Sequence, residues 1–135
     1  ALYYGDCIMA VEINNTGSYW NHELLRAGRT VYRRAEFDRA TGQTRKKIGW
    51  QTTTASRPVI IEHFGKLLLA CGDPDTLEQG CLIYCPYAMQ ECLTFVTDAN
   101  GTARAQDGAY DDDVLALSIG FFLVEDNATP YLHYE

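Results

Sequence analysis

The side chains best suited to chemistry in this chain are carboxylates. Glu12 lies inside an apolar run, Cys7-Ile8-Met9-Ala10-Val11-Glu12-Ile13. An ionised carboxylate among apolar neighbours is costly unless it is paired or bound to a metal. Two readings stand side by side: a metal ligand at the C-terminal end of a strand, where α/β sheets place their sites, or the ion partner of a nearby arginine. Far along the chain, Asp111-Asp112-Asp113 opens a second apolar stretch. Asp111 could cap a helix there while the next two complement the positive end of its dipole. Three adjacent carboxylates also repel one another, which a cation would relieve. Asp107, four residues earlier, reads as a turn former. Phosphodiester hydrolysis with two metal ions needs carboxylates from separate elements, with the ions ~3.5–4 Å apart. One ion activates water and the other stabilises the leaving oxygen. Glu12 and the Asp111/Asp112 pair supply such carboxylates from a strand and a helix. A third contributing element is expected, and the sequence does not mark one.

Charge is unevenly spread. The chain carries 11 basic and 18 acidic residues, a net charge of −7. Eight of the basic residues fall between Arg26 and Lys47, among them Arg33, Arg34, Arg45, Lys46 and Lys47, against only Glu36 and Asp38. A basic element beside an acidic body is what a metal-dependent nuclease needs, because the cations hold phosphate and the carboxylates hold metal. A solvated hairpin whose charges only aid solubility is the competing reading.

Other chemistries find less support. The chain has no Gly-x-x-x-x-Gly-Lys-[Ser/Thr] loop and no Gly-x-Ser-x-Gly elbow. His22, His63 and His133 lie on unrelated segments and read as surface or packed residues rather than bases. The five cysteines are odd in number and irregular in spacing, which argues for a reducing compartment. Cys81-Leu82-Ile83-Tyr84-Cys85 reads as a buried strand, so its thiols are expected in a core rather than on zinc. No run of ~18 apolar residues marks a membrane span, and positions 1–15 show no secretory signal. The start, Ala1-Leu2-Tyr3-Tyr4, lacks an initiator Met, so a fragment or trimmed chain is expected.

The elements that must position these groups can be read in order. At 135 residues and 47% apolar composition, the chain suits one globular domain. Residues 7–13 read as a strand buried on both faces, and Asn14-Asn15-Thr16-Gly17 as a turn into a helix. Tyr19, Trp20, Leu24 and Leu25 fall near helical spacing over 18–27, with Gly28 as the stop. Residues 30–36 and 45–50, around the turn Ala40-Thr41-Gly42-Gln43, read as a basic β-hairpin. Ser56-Arg57-Pro58 starts a helix with Ser56 as cap. Its stripe is Val59, Ile60, Phe64, Leu67, Leu68 and Cys71, and Gly72 ends it. A loop over 73–80, a short strand over 82–84, a helix-to-strand passage over 87–96 and a hairpin around Asp98-Ala99-Asn100-Gly101 follow. Residues 111–124 read as a largely buried helix and 125–135 as a tail. This order indicates an α/β fold with one main sheet.

Four blocks of the chain resemble the nuclease domain of phage large terminase subunits. Ala10-Val11-Glu12-Ile13-Asn14-Asn15-Thr16-Gly17 is similar to their Val-Glu-x-Asn-Asn-x-Gly strand and turn. Ile48-Gly49-Trp50-Gln51-Thr52-Thr53 with Ser56-Arg57-Pro58 resembles their Lys-x-Gly-Trp-x-Thr-Thr…Lys-Pro segment. Glu91-Cys92-Leu93-Thr94-Phe95-Val96 resembles Glu-Leu-x-x-Phe, and Gly108-Ala109-Tyr110-Asp111-Asp112-Asp113-Val114 resembles Gly-x-His-Asp-Asp-x-Val. In order, the blocks cover positions 10 to about 124.

The resemblance implies a ribonuclease H-like mixed sheet flanked by helices, over residues 1–124. It implies a Mg2+- or Mn2+-dependent endonuclease that cuts concatemeric double-stranded DNA inside a bacterial host during packaging. Glu12 would be the second catalytic carboxylate, and Asp111 or Asp112 the third. The implied partners are double-stranded DNA, the ATPase domain of the same full-length protein, the small terminase subunit and the portal, with no membrane. The family's first catalytic Asp lies upstream of the position of Glu12. The chain is therefore expected to lack the first strands and to carry an incomplete metal site. A junction resolvase or another ribonuclease H-like nuclease, and a non-catalytic DNA-binding or assembly module of the packaging motor, are the alternatives. The basic hairpin is the expected DNA-facing element, on charge alone.

Overall fold

The computed structural model of the chain describes residues 7–73, 75 and 80–125. Within them the protein is mixed α/β, with four helices and two small antiparallel sheets. The chain divides into two compact units, Ala1–Thr53 and Thr54–Glu135. Each unit holds one two-stranded sheet, so the single main sheet expected from the sequence does not form among the described residues.

In the first unit, helix α1 spans Gly17–Arg26. Asn15 enters the turn before it at φ 56°, a left-handed conformation that Asn tolerates. Gly17 presses so closely on the Glu12 carbonyl that any Cβ there would overlap it. That approach decides which face of α1 packs. The expected stripe is not the buried one: Tyr19 and Trp20 are 61% and 57% exposed. Gly17 and Asn21, four residues apart, are buried instead. The Asn21 side-chain amide explains how a polar residue can hold that position. Its Nδ2 donates to the Gly17 carbonyl at 2.9 Å and to the Val11 carbonyl at 3.2 Å, tying helix to backbone. Gly28, at φ 69°, lies just past the helix end as expected.

Strands β1 (Arg33–Asp38) and β2 (Gln43–Ile48) form the expected hairpin, with Arg34 opposite Lys47 and Glu36 opposite Arg45. Asp38 shapes its turn by accepting from the Ala40 and Thr41 amides at 2.9 and 3.4 Å. Residues 7–13 are not the doubly buried strand the sequence suggests; they are exposed or half-buried. Met9 bridges Val31 on one side of the hairpin base and Glu12 bridges Trp50 on the other. A segment that crosses from one strand's extension to the other's builds no continuous ladder with either. Gly49 sits at this crossing with φ 80°, and a Cβ there would overlap Ile13, Asn21 and the Val11 carbonyl. Only glycine meets both demands.

In the second unit, α2 (Ser56–Cys71), α3 (Pro86–Thr94), β3 (Phe95–Thr97), β4 (Ala103–Ala105) and α4 (Asp112–Glu125) follow in order. The cap of α2 is Ala55, one residue before the expected Ser56. Ile60 and Phe64 are buried on it, whereas Val59 is 51% exposed. Helix α4 packs on α2 and α3. Phe64, Cys81 and Val114 form the centre, with Leu67, Leu68, Cys92, Phe95 and Phe121 against them. Phe64 and Phe121 stack at 5.7 Å between ring centroids. Helix α4 is buried on one face, through Val114, Ser118, Ile119 and Leu123, while Val124 is 70% exposed. The β3–β4 hairpin turns at Asp98, whose side chain accepts from the Asn100 and Thr102 amides, both at 2.9 Å.

The segment 81–85 is not the expected strand. It has no strand partner, and the Cys81 amide bonds the Leu67 carbonyl on α2 instead. Cys81 is buried and Cys85 exposed, so the two thiols do not share a core. Burial, with the Cys71 and Cys92 thiols nearby, pushes the Cys81 thiol up from its ordinary range. Much of the expected 73–80 loop, and residues 126–135 of the expected tail with His133, lie outside the described residues.

Candidate functional site

The Glu12 carboxylate stands at the point where the crossing segment meets Trp50. It is half-buried rather than fully enclosed. Its Oε1 accepts a hydrogen bond from Asn14 Nδ2 at 2.8 Å. The same amide nitrogen donates to the Thr52 carbonyl at 3.3 Å, and Trp50 Nε1 donates to Thr52 Oγ1 at 3.1 Å. The expected alternative, an arginine ion pair, is not what holds Glu12: among the described residues no Lys or Arg bridges it. A neutral amide fixes the carboxylate's direction and leaves its charge uncompensated. Asn14 was legible only as a turn residue.

In the second unit, the carboxylates at the start of α4 divide into different duties. Asp111 precedes the helix and its carbonyl accepts from the Leu115 amide at 3.0 Å. Its side chain pairs with Arg57, at the start of α2, through Asp111 Oδ2 and Arg57 Nη2 at 2.9 Å. Glu91 on α3 caps the helix from outside. Its Oε2 accepts from the amides of Asp113 and Val114 at 2.7 and 3.3 Å. A carboxylate on the first free N–H groups of a helix satisfies orphan donors and complements the dipole. Burial first, and then the Glu91 and Asp113 charges, push the Cys92 thiol up from its ordinary range. The Asp112 and Asp113 carboxylates make no ion pair or hydrogen bond among the described residues; Asp112 is exposed and Asp113 half-buried.

Arg57 also lines a cavity of about 480 Å³ with Pro58 and Ile61 of α2 and with Gly101, Thr102 and Ala103 of the β3–β4 hairpin. Within each unit, no three His, Cys, Asp or Glu side chains among the described residues converge as a metal centre. His22 on α1 is exposed, and His63 packs edge-on to Phe122 at 5.8 Å. Glu91 and Arg57 are the shaping residues that sequence reading missed in these roles. Their partners lie 22 and 54 residues away, beyond the reach of any local pattern.

The basic hairpin is sorted by charge. Residues opposite one another in register share a face. One face carries Arg34, Lys47, Glu36, Arg45 and Asp38. Glu36 pairs with Lys47 at 2.6 Å and with Arg34 at 3.4 Å, and Asp38 lies 3.9 Å from Arg45. Arg34 is further occupied by the carbonyls of Ile48 and Gly49 at 2.9 and 3.1 Å. These contacts hold Glu36 below its ordinary value of 4.5, the Lys47 hydrogen bond contributing most. The other face carries Arg33 and Lys46 and no carboxylate.

Comparison with known families, curated proteins and solved structures found no match to this chain. Among the described residues no helix is long and apolar enough to cross a membrane.

Proposed function

We propose that the chain is the nuclease part of a terminase-like DNA-packaging enzyme, with a ribonuclease H-like fold, acting on double-stranded DNA through a divalent metal. One observation carries the reading. Of the carboxylates at and around the start of α4, Asp111 is spent on Arg57 and Glu91 on helix amides. Glu12 and Asp112 keep uncompensated charge at positions matching the resemblance. Two hard carboxylate oxygen donors fit Mg2+ or Mn2+. By the resemblance, Glu12 and Asp112 would be the ligands of the ion, which would supply water activation and charge stabilisation at the phosphate.

The chain's own residues have three parts in this reading. Asn14 orients Glu12 by holding one carboxylate oxygen. Arg57 keeps Asp111 away from the ion, so Asp112 rather than Asp111 is the ligand. The hairpin cations Arg33, Arg34, Arg45, Lys46 and Lys47 supply field toward the DNA backbone. The ATPase domain, the small subunit and the portal remain partners that the resemblance implies.

A second reading draws on the carboxylate-free hairpin face: a non-catalytic DNA-binding module needs those cations and neither acid. Mn2+ titration by isothermal calorimetry, with plasmid cleavage alongside, separates the two. Loss of Mn2+ binding in Glu12→Gln and in Asp112→Asn, with binding retained in Asp111→Asn, supports the nuclease. Salt-sensitive DNA binding with no Mn2+ binding by the parent chain overturns it in favour of the second reading.

A further inference from the structure

Three of the five cysteines gather in the second unit between the end of α2 and the core. Cys71 is the last residue of α2 and is half-buried, whereas Cys81 is buried. Cys81 packs with Phe64 and Val114, and Cys92 lies against that cluster. Cys71 and Cys81 stand ten residues apart in the chain, yet the fold brings them into contact: the Cys71 thiol donates to the Cys81 carbonyl. The Cys81 amide bonds the Leu67 carbonyl, one turn back along α2, at 3.3 Å. Gly80 permits the approach. A Cβ there would fall 2.6 Å from Cys71 Sγ and 2.7 Å from the Cys71 amide nitrogen. A disulfide forms without backbone movement only where two chain segments already lie this close.

We infer that Cys71 and Cys81 are a redox pair that a peroxide converts from dithiol to disulfide, tying the end of α2 to the segment before α3. Cys71 reacts first, because it is the one of the two that solvent reaches. Its thiolate attacks one peroxide oxygen. The O–O bond breaks, Cys71 becomes a sulfenic acid, and the released hydroxide takes up the thiol proton as water. Cys81 Sγ then attacks the Cys71 sulfur. The S–S bond forms, the S–O bond breaks, and the leaving hydroxyl takes the Cys81 proton as a second water. The two thiols together lose two electrons, and one peroxide is reduced to two waters. Burial first, and then the neighbouring Cys71 and Cys92 thiols, push the Cys81 thiol up, which suits the thiol that resolves rather than the one that attacks first. Cys92 is the competing partner. Burial and the Glu91 and Asp113 charges disfavour its thiolate. In a reducing compartment the pair rests as the dithiol, and an oxidant pulse closes it reversibly.

The test is mass-spectrometric peptide mapping of the full chain, treated with hydrogen peroxide while folded and digested without reductant. The expected product is a peptide cross-linked through Cys71 and Cys81, lighter by the two thiol hydrogens and abolished by dithiothreitol. Cys92→Ser is expected to form it to the same extent. A cross-link from Cys81 to Cys92 overturns the inference. So does Cys71 driven to sulfinic acid while Cys81, once the chain is unfolded in urea, still takes up iodoacetamide. A Cys71–Cys81 cross-link that appears only when the chain is oxidised in urea overturns it as well. Neither metal nor DNA enters the readout, so failure of the nuclease reading and failure here are separate results.

Discussion

Arg57 and Asp111, 54 residues apart in the chain, form an ion pair at 2.9 Å with both side chains about 70% buried. The pair joins the start of α2 to the start of α4 and takes one of three adjacent acids out of play. Asp112, next in sequence, starts the helix and stays exposed. Neighbouring residues of one type therefore stand in different surroundings, one tied to Arg57 and one exposed.

Stability should separate those roles. Asp111→Asn is expected to cost about 1 kcal/mol, the scale of a part-buried charged hydrogen bond. Asp112→Asn should cost at most about 0.5 kcal/mol, from the helix dipole alone. Urea unfolding followed by helical circular dichroism reads both, and a larger loss for Asp112→Asn would contradict the assignment.

Glu91 gives a second check on the second unit. Glu91→Ala removes the carboxylate that caps the Asp113 and Val114 amides. The expected loss is about 1–2 kcal/mol, typical for a helix cap. Glu91→Gln, which keeps one acceptor oxygen, should recover part of it. Equal stability of all three proteins in urea would show that the cap contributes nothing.

Gly49 tests the first unit. Gly49→Ala must adopt φ near 80° and displace Ile13, Asn21 or the Val11 backbone. The expected cost exceeds about 2 kcal/mol. The fluorescence of buried Trp50 reports it. A neutral Gly49→Ala would mean that the crossing of residues 9–13 over the hairpin base is wrongly drawn.

Much of this was legible in local sequence. Gly28 and Gly72 mark helix ends, and the turn residues 40–43 and 98–101 announce the two hairpins. What local pattern could not supply was pairing. The run 7–13 has strand composition, yet it bridges both sides of the hairpin base and belongs to no ladder. Tyr19 and Trp20 have helical spacing with Leu24, but the face of α1 that packs is set by Gly17 against Glu12. The same holds at the site. Glu12 and the Asp111/Asp112 pair stood out by type and context, whereas Asn14, Glu91 and Arg57 acquire their roles only through the fold.

The hairpin carries a pH signature. Glu36 is held below 4.5, chiefly by its Lys47 hydrogen bond, and Asp38 below 3.8, chiefly by Thr41 and then the Ala40 amide. Groups depressed in the folded state stabilise it above their unfolded values, and that contribution is lost as pH falls through the folded ones. The hairpin should therefore hold at neutral pH and loosen only below those two values. Carboxyl NMR titration with hairpin amide exchange measures this; Lys47→Ala should move the Glu36 midpoint back toward 4.5. A Glu36 midpoint at or above 4.5 in the parent chain would refute the Glu36–Lys47 pairing.

The decisive measurement is anomalous scattering from crystals of the full chain soaked in Mn2+. The expected result is a manganese peak within coordination distance of both the Glu12 and Asp112 carboxylates, with Asp111 still on Arg57. Manganese at neither carboxylate, or bound by Asp111 after release from Arg57, would contradict it.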